Sequence, residues 1–356
     1  MTGTTAPRIS EEARALHESS LVVDMHADSL MAAKVMRRDF RKRHRPPRGW
    51  QPWLLHADVP RLREGGVDAV CCGIVTHPFP AGARKRARAS IQYARGVLAK
   101  GSRELALAGS PGDIRRARGE GRIAVLFGIE GMHMLSGGLE AIEEFYGLGA
   151  RYVTLAHFTS NAFAVSSADP FRATARPGGR LAEALDLMTS LGMMIDLAHV
   201  HTDIIEWTCR RSRVPVIVSH GACAALRPTF RNLTDSDIRN VTATGGVVGV
   251  IYATGWLTPR GHGAGLSDIV DHADHVRGLV GAGHVALGSD WDGLISTPPD
   301  LPDAAALPAL TQAFLDRGYD PDEVRGVLGG NFMRVFTEVC AARPGTAGGG
   351  SGAALE

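Results

Sequence analysis

Eight short apolar runs separated by amphipathic stretches constrain the fold more than any other feature of the chain. The runs fall at 21–24, 67–75, 122–129, 150–156, 193–198, 215–219, 246–252 and 284–288. Each is too short for a buried helix, so each predicts a strand covered on both faces. Between them, 139–148, 179–191, 201–213, 234–244 and 267–281 have helical spacing. In 179–191, for example, Leu181, Leu185, Met188 and Leu191 recur every three or four residues. Alternating strands and helices predict a parallel sheet, and eight repeats are the number that closes a (β/α)8 TIM barrel. Residues 303–338 add helices expected to pack on the outside. One domain over 1–340 is expected, with 341–356, which ends in GTAGGGSGAALE, as a flexible tail.

Composition narrows the class. With 44% hydrophobic and 21% charged residues, the 356-residue chain reads as a soluble globular enzyme large enough for one barrel or two smaller domains. A formal net charge of +2 and the lack of a recognisable binding motif argue against a nucleic-acid partner. The five cysteines, Cys71, Cys72, Cys209, Cys223 and Cys340, are odd in number and lack C-x-x-C spacing, which predicts reduced core residues. No signal-peptide core, no run near 18 apolar residues and no lipid-anchor tail is visible. A cytoplasmic protein without a membrane partner is therefore expected.

Chemistry is concentrated where the runs end. In VVDMHADSL, residues 22–30, His26 and Asp28 lie two positions apart, so in a strand both side chains face one side. The same His-x-Asp pattern occurs at His56 and Asp58, but there Pro60, the run Arg61 to Glu64 and Gly65-Gly66 follow. That order predicts an N-cap, a short helix and a glycine stop, so Asp58 is read as a cap. This helix feeds the next strand, which is taken to put the second copy at the wrong end of the barrel. Elsewhere, Glu130 ends FGIE, His157 ends TLAH, His199 ends IDLAH, His220 ends VIVSH, and Asp290 follows the last run in GSDWDG. One histidine after an apolar run is commonly just a hydrogen-bonded core residue. Six of eight strand ends carrying such groups, all at the C-terminal face where barrel enzymes work, point instead to an active site.

His26, Asp28, Glu130, His199 and His220 offer more ligands than one catalytic zinc uses. Two Zn2+ ions bridged by Glu130 satisfy them all: His26 and Asp28 on one ion, His199 and His220 on the other. Water held between the two ions is expected to ionise near neutral pH, giving a hydroxide nucleophile without a serine or cysteine.

The motifs VDMHADSL, FGIEGMH, RYVTLAHFTSN, IDLAHV, PVIVSHGACAALRPTFRNLTD, GSDWDG and GGNFMRVF together resemble those of the renal (membrane) dipeptidase family, metal-dependent amidohydrolases. LLHADVPRLREGGVDA also resembles a stretch of that family that does not bind metal, and the similarity runs in order from about 20 to 338. The resemblance implies a (β/α)8 barrel with a binuclear zinc centre that hydrolyses dipeptides. A first motif of His-x-Asp and a bridging Glu130 separate the chain from relatives that begin with His-x-His or bridge through a carboxylated lysine. By resemblance, His157 contacts the substrate and polarises its carbonyl. Asp290 moves the proton from the attacking water to the leaving amine, with Asp292 as the nearby alternative. Arg231 matches the residue that holds the dipeptide carboxylate, with Arg227 close by, and Tyr252 is a further expected pocket hydroxyl.

Basic residues at Lys34, Arg37, Arg38, Arg41, Lys42, Arg43, Arg45 and Arg48, followed by Arg84, Lys85, Arg86 and Arg88, read either as a cationic rim on the catalytic face or as a solvated surface loop. Such a rim would favour dipeptides with acidic side chains; a D-residue at the C-terminal position is a further expectation. The alternative reading is a binuclear-zinc hydrolase of another small amide or ester: a lactam, a lactone or an N-acyl amino acid. A non-catalytic binding protein would not need Asp290. The expected partner is thus a small-molecule dipeptide, and a homodimer stays open.

Overall fold

The structure, a computed structural model, describes residues 8–46, 53–75, 81–135, 138–171 and 174–343. Among these, nine parallel strands form one sheet: β1 (Val23–Ala27), β2 (Ala69–Val75), β3 (Leu105–Leu107), β4 (Ile123–Glu130), β5 (Ala150–Thr154), β6 (Met194–Asp196), β7 (Ile217–Gly221), β8 (Val247–Val250) and β9 (Val285–Leu287). The order is β2-β1-β9-β8-β7-β6-β5-β4-β3, and an additional pairing of β2 with β4 closes eight of the strands into a ring. That ring is a (β/α)8 barrel. The β2–β4 seam is continuous, from Ala69 opposite Ala124 to Val75 opposite Glu130. It therefore fixes how far Glu130 stands above the barrel floor.

β3 escapes sequence detection because three residues are too few to show a pattern. It pairs with Ile123, Ala124 and Val125, filling the edge of β4 before β5 takes over at Phe127. Where 21–24 predicts a strand, β1 runs on to Ala27, so His26 is a strand residue rather than a loop residue.

Period-2 alternation separates two cores. Val70, Cys72, Ile74, Val125, Phe127 and Ile129 pack toward the helices. The alternate series, Ala69, Cys71, Ala124, Leu126 and Tyr152, fills the barrel together with Phe332 and Phe336. The latter two belong to the helix Asn331–Ala341, which covers the N-terminal mouth instead of the outer wall. Arg334 Nη1 and Nη2 donate to the carbonyls of Gly245 and Gly283, just ahead of β8 and β9, at 2.7 and 3.0 Å. With the floor plugged, only the C-terminal face is open.

Four helices matter below: α1 (Glu11–Ser19), α2 (Ser29–Val35), α3 (Val59–Glu64) and α4 (Ala83–Lys100). α4 contains the second basic cluster; Ala83, Ala87, Ile91, Ala94 and Leu98 are its buried stripe, and its arginines are good helix formers on the other face. No helix among the described residues is long and apolar enough to cross a membrane. The sequence tail from 344 and Arg48 lie outside the described residues.

Candidate metal centre

Glu130 stands at the end of β4, 3% exposed, in the middle of a ring of imidazoles. Its Oε1 lies 3.7 Å from His26 Nε2, 3.5 Å from His157 Nε2, 3.3 Å from His199 Nε2 and 3.7 Å from His220 Nε2. His26 Nε2 is also 3.7 Å from Asp28 Oδ1 and 3.9 Å from Asp290 Oδ1. Three overlapping groups result, each with ligand atoms within 4.8 Å of one another: His26, Asp28 and Asp290; His26, Glu130 and His220; Glu130, His157 and His199. The five residues expected as ligands are all present. The grouping differs from the expected one: His26 falls with His220, His199 with His157 and Asp28 with Asp290, so neither expected triad forms a single group.

Such a cluster is costly without a cation. Burial drives Asp28 up to about 7, with Asp292 adding repulsion, and lifts Glu130 and Asp290 well above the usual carboxylate range, with Asp28 as the next cause for both. Burial lowers His26 to about 3 and holds His199 and His220 well below the usual imidazole range. The imidazoles are thus neutral, the form that binds metals, and the Arg231 guanidinium offsets only part of the burial cost of Glu130 and Asp290. His26 Nε2, Asp28 Oδ1 and Glu130 Oε2 are buried without hydrogen-bond partners, and His199 Nε2 lies 2.9 Å from His220 Nε2. Imidazole and carboxylate donors that converge unsatisfied fit a divalent metal of the zinc type.

A second layer of side chains fixes the ligands. Tyr152 Oη sits 2.7 Å from His26 Nδ1, and Ser219 Oγ lies 2.9 Å from His220 Nδ1 while donating to Asp196 at 2.7 Å. These contacts aim each Nε2 at the ring. Asp196 also accepts from Ser219 N at 2.8 Å and Thr154 Oγ1 at 2.5 Å, and Asp24 accepts from Ser289 N at 3.0 Å and His26 N at 3.2 Å. Sequence reasoning missed this layer. A signal existed, because a carboxylate inside an apolar run, as in LVVDM or MMIDLA, must be buried and therefore needs partners. His199 and Asp290 hold left-handed backbones, φ 62° and 61°, which cost other residues than glycine about 1–2 kcal/mol each.

The remaining expected residues divide. His157 and Asp290, each 8% exposed, line an open cavity of about 580 Å3 above the ring. Asp292 lines it too, but its carboxylate accepts from the backbone N–H groups of His56 and Ala57 at 3.0 and 3.3 Å. Arg231 is buried, donates from Nη2 to the His220 carbonyl at 2.7 Å and leaves Nη1 without a partner. It lines an adjoining cavity of about 210 Å3 that shares His199 with the first. Arg227 instead donates to the Gly255 carbonyl at 2.9 Å and serves a loop. Tyr252 does not line the main cavity. It is 1% exposed with its ring edge-on to Trp291, 5.2 Å between centroids, because the chain turns into the core after β8.

Asp58 caps α3, accepting from Arg61 N at 3.0 Å. The second His-x-Asp copy is nevertheless at the catalytic end, contrary to expectation. A helix that feeds a barrel strand starts at the C-terminal face, and His56 Nδ1 accepts from Asp292 N at 3.0 Å there. Prior hydrogen bonding, rather than distance, removes the copy from metal binding.

The cationic rim is likewise displaced from the cavity. Lys34, Arg37, Arg38 and Arg41 line a separate surface cavity with Lys100. Arg41 pairs with Asp39 at 2.8 Å, Arg43 with Glu64, and Arg84 with Glu140 and Glu144 at 2.7 and 2.8 Å. Arg88 pairs with Glu144 at 2.5 Å. Local acids thus pair with Arg41, Arg43, Arg84 and Arg88 of the basic segments.

The chain is similar in sequence and in fold to known proteins. The membrane dipeptidase family, peptidase family M19, matches residues 10–347. Dipeptidase aclJ of Aspergillus oryzae is 35% identical over 222 residues, covering 62% of this chain and 52% of that protein. The chain thus spans about half the length of this curated relative. An amidohydrolase structure from Pseudomonas aeruginosa has a TM-score of 0.78 at 23% identity, covering 92% of this chain and 99% of that one. A metallopeptidase from Rhodobacter sphaeroides, liganded with a phosphinate mimic of the dipeptide L-Ala-D-Ala, has a TM-score of 0.80 at 22% identity, covering 90% and 100%. Both share the barrel fold.

Proposed function

The chain belongs to the membrane dipeptidase family, and from that membership we propose that it is a metallo-dipeptidase cleaving the peptide bond of free dipeptides. The observation that carries the reading is Glu130, whose carboxylate lies within 3.3–3.7 Å of four imidazoles beside an open cavity. Zinc held by His26, Asp28 and Glu130 on one side, and by Glu130, His199 and His220 on the other, would polarise the scissile carbonyl and lower the pKa of bound water to about 7.

The protein groups supply the rest. His157, facing the same cavity, donates to the carbonyl oxygen as negative charge develops there. Asp290 accepts the proton of the attacking water and delivers it to the leaving amine, a role open to it because, among the described residues, no hydrogen bond ties its carboxylate as the His56 and Ala57 N–H groups tie that of Asp292. Arg231 receives the substrate carboxylate on Nη1, its Nη2 being anchored to the His220 carbonyl. A carboxylate next to the scissile bond explains a preference for free dipeptides over longer chains.

The test is a zinc-replete preparation assayed on dipeptides with L- or D-residues at the C-terminal position, alongside lactams, lactones and N-acyl amino acids. Dipeptide cleavage lost to chelation, about two zinc ions per chain, and an inactive Asp290→Asn variant that keeps its metal are the expected results. Cleavage confined to the other amides and esters would replace the dipeptidase reading with that of a different binuclear hydrolase.

A further inference from the structure

The cavity over the metal ring has two unlike sides. Its floor is acidic and imidazole-rich, whereas its wall is built by Met31, Val35, Met36, Leu54, Phe158 and Leu294. Met31 and Val35 are four residues apart on α2, which begins immediately after the candidate ligand Asp28. The wall is thereby anchored to the metal site itself. Val35 is 81%, Leu294 75% and Phe158 42% exposed, an unusual grouping of large apolar groups around one opening. Leu294 is also held at φ 60°, a left-handed conformation that costs a leucine about 1–2 kcal/mol. A leucine three-quarters exposed gives little back to folding, so that backbone strain is explained by what the side chain does at the cavity mouth.

We propose that this wall is a side-chain subsite that selects dipeptides bearing a large apolar residue and disfavours acidic ones. The inference rests on the dipeptidase reading and adds a substrate class to it. Among the described residues lining the cavity there is no lysine or arginine, while Asp292 contributes a carboxylate beyond those in the metal ring. An acidic side chain entering here loses water, meets Met31, Met36 and Leu54, and finds no cation besides the metals that bind the scissile amide and Arg231, which the substrate's own carboxylate occupies. An aliphatic or aromatic side chain buries its surface against the same groups and covers the exposed Leu294 and Val35. This direction opposes the one drawn from the basic segments, of which Lys34, Arg37, Arg38 and Arg41 line another cavity and Arg84 and Arg88 pair with Glu140 and Glu144.

The experiment compares kcat/KM of the zinc-loaded enzyme on Ala-Ala, Leu-Ala, Ala-Leu, Phe-Ala, Asp-Ala and Ala-Asp, repeated with Leu294→Asp and Val35→Asp. A methylene or two in an apolar pocket is worth about 10–200-fold in discrimination, so the best apolar substrate is expected to exceed Ala-Ala by at least about tenfold. Acidic substrates are expected to fall below Ala-Ala. Both variants should collapse the apolar preference chiefly through KM, and unchanged zinc content will show that the folded site persists. Cleavage of all six dipeptides at similar rates, a preference for acidic ones, or variants that keep the wild-type ratios would each overturn the subsite while leaving the dipeptidase reading intact. Cleavage of none would overturn the dipeptidase reading itself and the subsite with it.

Discussion

Gly73 in β2 faces the end of β1 so closely that a methyl group added to it would overlap Asp28 Oδ1 and come 3.0 Å from His26 Cε1. Gly128 in β4 is under the same constraint from Tyr152, the hydrogen-bond partner of His26 Nδ1. Gly73→Ala is therefore expected to displace both candidate ligands and to weaken zinc binding severely while helical content, read by circular dichroism, persists. Tyr152→Phe removes one second-layer contact and should lower zinc affinity by about 10–100-fold in a chelator competition titration. Wild-type affinity in that variant would deny Tyr152 its orienting role. His26, Asp28, Glu130, His199 and His220 were legible in the sequence because each closes an apolar run. Gly73, Gly128 and Tyr152 were not, because their roles exist only once the barrel brings β1, β2, β4 and β5 side by side. Tyr252 also follows an apolar run, and there its ring packs edge-on against Trp291.

The elements show the same division between local and long-range signals. The 179–191 helix was legible because its apolar spacing is written in consecutive turns, and Leu181–Leu191 forms there. Closing the barrel floor with Asn331–Ala341 was not, since a helix at the chain's end reads alike whether it packs outside or underneath. Asn331 makes that closure specific: its Nδ2 donates to the carbonyls of Ala282 and Val285, both at 2.8 Å, at the entry to β9. Asn331→Leu leaves these carbonyls without the donor and is expected to destabilise the protein by about 1–3 kcal/mol in urea unfolding. Because β9 leads directly to Asp290, a fall in kcat beyond the loss of folded protein would show that the plug also positions the catalytic face. Stability equal to wild type would mean that water replaces the asparagine without cost.

For the molecule as a whole, buried acids and imidazoles in one ring set how folding responds to pH and metal. The carboxyls of Asp28, at about 7, and of Glu130 and Asp290, well above their ordinary range, hold protons that the unfolded chain, with carboxyl pKa values of about 4, has released. Their contribution to stability is complete below the unfolded pKa and is lost as pH rises through the folded one. His26, at about 3, His199 and His220 act oppositely, since only the unfolded chain protonates them below about pH 6.5. Stability from the histidines rises with pH up to that point and is then constant. Above pH 6.5 the acids alone of this ring remain, so through them metal-free protein should lose about 1.4 kcal/mol per pH unit for each excess proton that the folded ring holds. Zinc keeps the same carboxylates ionised and the imidazoles neutral, which abolishes that slope and moves the weakness to acid, where ligands protonate. Thermal unfolding of chelated and zinc-loaded protein at pH 6.5, 7.2 and 8.0 measures the difference. The gap in Tm is expected to widen steadily with pH. A chelated protein whose Tm is flat or rising over this range would show that its acids already ionise without a cation, and the physical case for a metal in the ring would fall with that result.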